Sequence, residues 1–345
     1  MSLSFLHQKG EKYMNMKRNV IKSNSEFFFN LYQKFNKELL EELLDEELDE
    51  LLLEKYYLGQ KIDIYSKIKG TTTGVFVESM LNRADIRHLN FIFKLIDNIE
   101  DDNAIIIFQA ESFNNEIIEE IISTIRKSGK KIDFYAMEID KYLIKEIESL
   151  NDIHFLKVIN KLCDLNFSNP LNIVEKHISI KEHEIEDEYE IEKISRIEKR
   201  NKLLIQAVRE KIFYYPTIYR ERRCIANRVL TFGAGRAGID YAISLGDRAG
   251  DSFVSVRFME ETQDIYKAIK GKGRSFQEKI EYDVEFDDAN LVIVTKLVDK
   301  EFIYKTIDDL AQIFERYVFY LSNYIFYYGT NMEDSMWNQH KEGIL

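Results

Sequence analysis

A chain of two mixed α/β domains is what this sequence predicts, on three observations. Helical and strand-like segments alternate through the first half. A densely charged interval follows, and a run of strands and helices punctuated by glycine begins after it. The 345 residues, 45% of them hydrophobic and 13% aromatic, are enough to fill two cores. The divisions fall at a leader over 1–25, an α/β domain over 26–165, a charged linker or helix over 166–200 and an α+β module over 201–345. With only 2 Pro and 14 Gly, the elements should be long and regular.

Each element has its own signal. From Glu26 to about Lys55 the leucines recur at helical spacing (Leu39, Leu40, Leu43, Leu44, Leu48, Leu51) among acids. That pattern predicts one amphipathic helix or a pair with an acidic outer face. KIDIYSKI (61–68) alternates like a strand, GTTTG supplies a turn, and VFVESM (75–80) is the next strand. A helix from about Asp85 to Ile99 precedes AIIIFQA (104–110), whose unbroken apolar run marks a covered strand. A helix from Asn115 to Lys127, the strand IDFYAMEI, a helix over DKYLIKEIESL and a strand-like HFLKVI complete the first domain. In the second, RVLTF, IDYAISL, DSFVSVRFME and NLVIVTKL read as strands. Helices start near Thr262 and run from about Lys305 to Tyr328.

Composition narrows the function classes. Cys163 and Cys224 are far apart and form no CxxC, so neither a disulfide framework nor a thiolate metal site is predicted. His177 and His183 have no second pair nearby and make no metal site. No apolar run approaches 18 residues and the N-terminus lacks a signal-peptide core, so a cytoplasmic protein with no membrane segment is expected. The net charge of −12 hides an asymmetry: Lys199 to Lys279 hold 17 Lys and Arg against nine Asp and Glu. A local basic face in an acidic chain is compatible with phosphate binding as well as with ordinary solvated surface.

The chemistry-bearing candidates are Asp63 and Glu78, on consecutive strands. Opposed residues of an antiparallel hairpin lie within about 5 Å, and two carboxylates at that distance need a cation. A hard divalent ion held by both, together with phosphate oxygens, resolves the conflict and can activate a phosphodiester for hydrolysis. Solvated acids at strand ends are the plainer alternative. Asp85 and His88, at i and i+3 of the following helix, share one face.

The helix, the hairpin with Asp63 then Glu78-Ser79-Met80, and the helix start Ala84-Asp85-Ile86-Arg87-His88-Leu89 together resemble the restriction-endonuclease-like PD-(D/E)XK nucleases. AIIIFQAESFNNEIIEEI and KIDFYAMEI are similar to the segments that follow in one subgroup. The second domain resembles the α+β module often fused to it. The resemblance covers about residues 35 to 330 through short motifs carried by their order. It implies a restriction-endonuclease-like α/β fold and DNA cleavage in restriction, repair or defence. It further implies Mg²⁺ or Mn²⁺ on Asp63 and Glu78, with Asp85 and His88 beside them. One position departs: the family's Lys or Gln is Met80 here, which can neither place a positive charge nor bond a phosphate. Lys61 or Lys67 on the neighbouring strand could take that role if strand parity favours it. A relative that has lost catalysis and binds DNA or a protein is the competing reading.

Further signals remain. Arg220, Arg222, Arg223, Arg228, Arg236, Lys270, Lys272 and Arg274 suit a DNA backbone track. GAGRAG (233–238) fits the dinucleotide fingerprint, although the segment after it is too short for the usual helix. A hairpin whose glycines permit close packing or phosphate contact is the favoured alternative. The aromatic end FERYVFYLSNYIFYYG offers stacking rings, a homodimer surface or core.

Overall fold

The computed structural model describes residues 24–99, 103–180, 196–221, 225–246, 251–297 and 303–327. The leader up to residue 23, the linker over 181–195, Arg222, Arg223 and Cys224 fall outside these residues. The described residues divide into two units. The first is drawn from Met1–Ile153, Lys161–Ile191 and Tyr219–Arg223, the second from His154–Asn160, Glu192–Ile218 and Cys224–Leu345.

The first unit runs α1 (Ser25–Phe35), α2 (Glu38–Leu44), β1 (Leu52–Tyr57), β2 (Gln60–Lys67), β3 (Gly74–Ser79), α3 (Ile86–Asn98), β4 (Asn103–Ala110), α4 (Asn115–Ser128), β5 (Lys131–Ile139), α5 (Lys141–Ser149) and β6 (Leu171–His177). Its six strands lie side by side in sequence order. The centre, β3-β4-β5, is parallel; β1, β2 and β6 add antiparallel edges. Every residue of β3 and β4 is buried, which is why those runs are apolar without alternation. Phe76, Ile106 and Phe108 pack with Leu89, Ile92 and Ile96 of α3 and Ile121 and Ile125 of α4. Each such side chain contributes roughly 1.5–3 kcal/mol by leaving water.

Local chemistry sets the helix ends. Asn114 caps α4 through Glu116 N–H, and Gly129 closes it at a φ of 70°. Asp140 caps α5 at the amides of Tyr142 and Leu143. The Lys130 ammonium donates to the carbonyls of Ile96, Asp97 and Ile99, collecting the orphan acceptors at the end of α3.

Three segments depart from the sequence reading. The helical stretch expected to reach Lys55 stops at Leu44, and Leu52–Tyr57 is a strand. Leu58 and Gly59, at φ of 44° and 82°, form the tight turn that folds it onto β2. HFLKVI is not a strand. The His154 ring accepts Leu156 N–H and starts a 3₁₀ turn over Phe155–Lys157, which leads into α6 (Val158–Asp164). The strand role passes to β6, which lies in the interval expected to be a charged linker or helix.

The second unit contains α7 (Arg196–Lys211), β7 (Val229–Gly233), β8 (Ile239–Leu245), β9 (Ser252–Phe258), α8 (Gln263–Gly271), α9 (Gly273–Ile280), β10 (Glu285–Asp287), β11 (Val292–Leu297) and α10 (Ile303–Tyr327). Its antiparallel sheet is ordered β10-β11-β9-β8-β7. Phe314, Tyr317 and Phe319 of α10 are buried within this unit, so much of the aromatic end is core. No helix among the described residues is long and apolar enough to cross a membrane.

Candidate active site

Two acids from neighbouring strands define the site. The β2–β3 ladder pairs Tyr65 with Phe76 and ends at Ile64 with Val77, and Asp63 and Glu78 are the next residues of the two strands. Alternation turns Glu78 toward the face that carries Phe76, whereas β2 breaks alternation around Asp63, since Ile62 and Tyr65 both pack in the cluster of that face. Ser79 N–H donates to Asp63 Oδ2 at 3.0 Å, so a β3 amide grips the β2 carboxylate. The site lies where β3 ends, and the connection beyond stays attached to the sheet. Met80 N–H donates to Gln109 O and Ala84 N–H to Ser112 O before α3 begins.

Both acids have left water. Glu78 is 9% exposed and its Oε2 is buried with no hydrogen-bond partner. Asp63 is half-buried as a residue, yet desolvation drives its carboxyl up to about 6. The Ser79 amide and Lys61 pull against that rise, and Glu26 and Glu54 add to it. Desolvation raises Glu78 well above the usual carboxylate range, and the charges of Asp63 and Glu26 raise it further; Lys61 opposes. Two buried acids, one with an orphan oxygen, form an arrangement short of a cation. No group of three or more His, Cys, Asp or Glu among the described residues could hold a metal ion. Two carboxylates nevertheless fit Mg²⁺, which takes one or two from a protein and leaves room for water and phosphate oxygens.

The structure adds Glu26 and Lys61 to this neighbourhood. Glu26, in the first turn of α1, is exposed as a residue. Its upward shift comes first from desolvation, is opposed by His88 and Lys61, and carries less weight than those of the buried pair. A buried clasp anchors α1 to the sheet. Gln33 and Gln109 exchange both amide hydrogen bonds, at 2.9 and 2.8 Å, and Ser79 Oγ donates to Gln109 Oε1 at 3.0 Å. Gln33 and Gln109 are fully buried, and Glu26 stands two helical turns before Gln33 on the same stripe.

Asp85 is exposed and occupied. Its Oδ1 accepts His88 N–H at 3.1 Å and lies 2.9 Å from His88 Nδ1, capping α3 and orienting the ring together. Met80 is 4% exposed and packed in the apolar cluster with Phe76, Ala84 and Leu89, so its thioether fills core.

The basic residues expected along a DNA track are divided between the two units. Arg220 belongs to the first unit, where it meets Glu54 Oε1 at 2.5 Å and lies 3.7 Å from the Phe27 ring centroid. Its charge is taken up there. In the second unit Arg236 donates to Ile325 O and Lys270 pairs with Asp288. Lys272 lies over the Tyr324 ring, Arg274 is 96% exposed beside Glu278, and Arg228 is exposed. Arg222 and Arg223 lie outside the described residues.

GAGRAG is a hairpin and not a nucleotide loop, because β8 returns antiparallel on β7 where a helix would have to start. Gly235 and Gly238 both have φ of 81°. A Cβ at Gly235 would sit 3.1 Å from the Phe155 ring, and one at Gly238 would sit 3.0 Å from Thr262 Cγ2. Tyr215 and Thr217 hydroxyls bond Gly233 O. Close packing explains the glycines.

No protein family is matched by the chain, and no curated protein matches it. Among solved structures it is similar to SfsA of Pyrococcus furiosus, determined in complex with Ca²⁺. The identity is 19% over 31% of this chain and 55% of that one, with a TM-score of 0.20. The chain thus spans about half the length of that protein, and an overlap this shallow fixes neither fold nor activity.

Proposed function

We propose that the first unit is a restriction-endonuclease-like nuclease domain that hydrolyses DNA phosphodiesters with Mg²⁺ or Mn²⁺ held by Asp63 and Glu78. The observation that carries this reading is the approach of half-buried Asp63 and buried Glu78 from neighbouring strands at the end of β3, with Glu78 Oε2 unpartnered. When bound, Mg²⁺ supplies Lewis acidity to a phosphodiester and a more acidic water.

The chain's own groups supply the rest. Ser79 N–H holds Asp63 through Oδ2. Asp85 engages His88 at Nδ1, leaving Nε2 to carry a proton to or from the reacting oxygens. Arg228, Lys272 and Arg274 of the second unit are exposed and suit contact with the DNA backbone. Restriction, repair or defence against foreign DNA is the corresponding setting.

Burial of Met80 where the family carries Lys or Gln favours a second reading, a relative that binds DNA or a protein without cutting. Nicking of supercoiled plasmid with Mg²⁺ or Mn²⁺, beside Asp63→Ala and Glu78→Ala, separates them. Metal-dependent nicking lost in both variants supports the nuclease. Tight DNA binding with no nicking in any metal supports the second reading.

A further inference from the structure

The amide that holds Asp63 belongs to Ser79, and Ser79 sits where the sheet stops. The β2–β3 ladder ends at Ile64 and Val77, and the β3–β4 ladder ends at Ser79 and Gln109. What restrains the last residue of β3 is Gln109. Its side-chain Oε1 accepts Ser79 Oγ–H at 3.0 Å, and its main-chain oxygen accepts Met80 N–H at 2.8 Å. One residue of β4 thus fastens two successive residues at the end of β3.

Gln109 is itself fixed from behind. Its amide and that of Gln33 exchange hydrogen bonds, a ring that holds each in one orientation. Turning either amide over would set N–H against N–H and oxygen against oxygen. Ser79 is 1% exposed and the two glutamines are fully buried, so the bonds form in a low-dielectric interior where a lost partner is costly. Joining α1 to the sheet takes only the two glutamines. The Ser79 hydroxyl is an addition to that joint, since Gln109 Oε1 already accepts the Gln33 amide. It ties the joint to the residue whose N–H grips the acid.

We propose that Gln109, locked by Gln33, is the positioning residue of the site: it sets Ser79, whose N–H holds Asp63 Oδ2, and so tunes the affinity of the two acids for a divalent cation. The assignment rests on the nuclease reading. Neither glutamine touches the cation or the DNA. They act through the Ser79 main chain, as groups behind a metal ligand do when they orient it.

The test compares wild type, Ser79→Ala, Gln109→Met, Gln109→Met with Gln33→Leu, and Asp63→Asn. Mn²⁺ affinity by electron paramagnetic resonance, hydrogen exchange of the amide at position 79 and the melting temperature in chelator are measured for each. Ser79→Ala strands no buried group, because Gln109 Oε1 keeps its bond from Gln33, so its melting temperature should stay close to wild type. Its Mn²⁺ affinity should fall about tenfold, the lower end of the loss for a group behind a metal ligand, and exchange at position 79 should quicken. Gln109→Met should lower both affinity and melting temperature. Adding Gln33→Leu removes the stranded amide and should return much of the melting temperature while the affinity stays low. A role confined to packing would restore the two together. If wild type binds Mn²⁺ and either Ser79→Ala or the paired variant binds it equally well, the assignment is overturned and the nuclease reading stands. If wild type binds Mn²⁺ no better than Asp63→Asn, the nuclease reading fails and this assignment falls with it.

Discussion

Replacing Asp63 by Asn tests the physical core of the site without any assumption about substrate. The folded carboxyl holds its proton up to about 6, against an ordinary 3.8. A difference near two units corresponds to about 3 kcal/mol between the protonation states. The sign follows from linkage. With the folded value raised, that stabilisation is fully present below the ordinary value and is lost as pH rises through about 6. Wild type without metal should therefore lose stability on going from acid to neutral pH. Asp63→Asn should not show that component, and it keeps an oxygen to accept Ser79 N–H. Allowing about 1 kcal/mol for the weaker, uncharged hydrogen bond leaves a net gain near 2 kcal/mol at neutral pH. That is roughly 4–8 °C in melting temperature for a domain of this size. The assay is thermal unfolding in chelator across the pH range, repeated with Mg²⁺, which should raise wild type and not the variant. A variant less stable than wild type at neutral pH, or a wild-type curve with no loss through pH 6, would refute the claim that this acid is buried at a cost.

Three further outcomes are expected. Glu78→Gln should also stabilise the metal-free protein at neutral pH and abolish its Mg²⁺-dependent shift, both read by thermal unfolding. Gln109→Met strands the buried Gln33 amide and should cost about 1–3 kcal/mol in urea unfolding. Adding Gln33→Leu should cost less than the sum of the single changes. Gly235→Ala forces a side chain into left-handed backbone against the Phe155 ring and should destabilise by more than about 1 kcal/mol; NAD(H) should shift the melting of neither form.

Much of the order of elements was legible because it is written in local periodicity. An unbroken apolar run marked β4 as a covered strand, and alternation marked β2. The placement of Asp63 and Glu78 on consecutive strands could be read the same way, since parity is a property of each strand. β1 was hidden because its leucines continue the helical spacing upstream; only the Leu58-Gly59 turn betrays it, and its first residue is not a typical turn former. HFLKVI misled because its apolar run is short, a length at which helix and strand patterns coincide.

By itself, then, the sequence determined which segments pair or coil and that two acids end on neighbouring strands, because those facts depend on residues a few positions apart. Only the tertiary structure decided that Glu26 shares their field, that Gln33 clasps Gln109 across 76 positions, and that Arg220 braces Glu54 across 166. It also decided that Met80 is core and that Lys61 meets Glu54. Such meetings follow from register and helix docking, which bring together side chains whose separation along the chain carries no periodic signal.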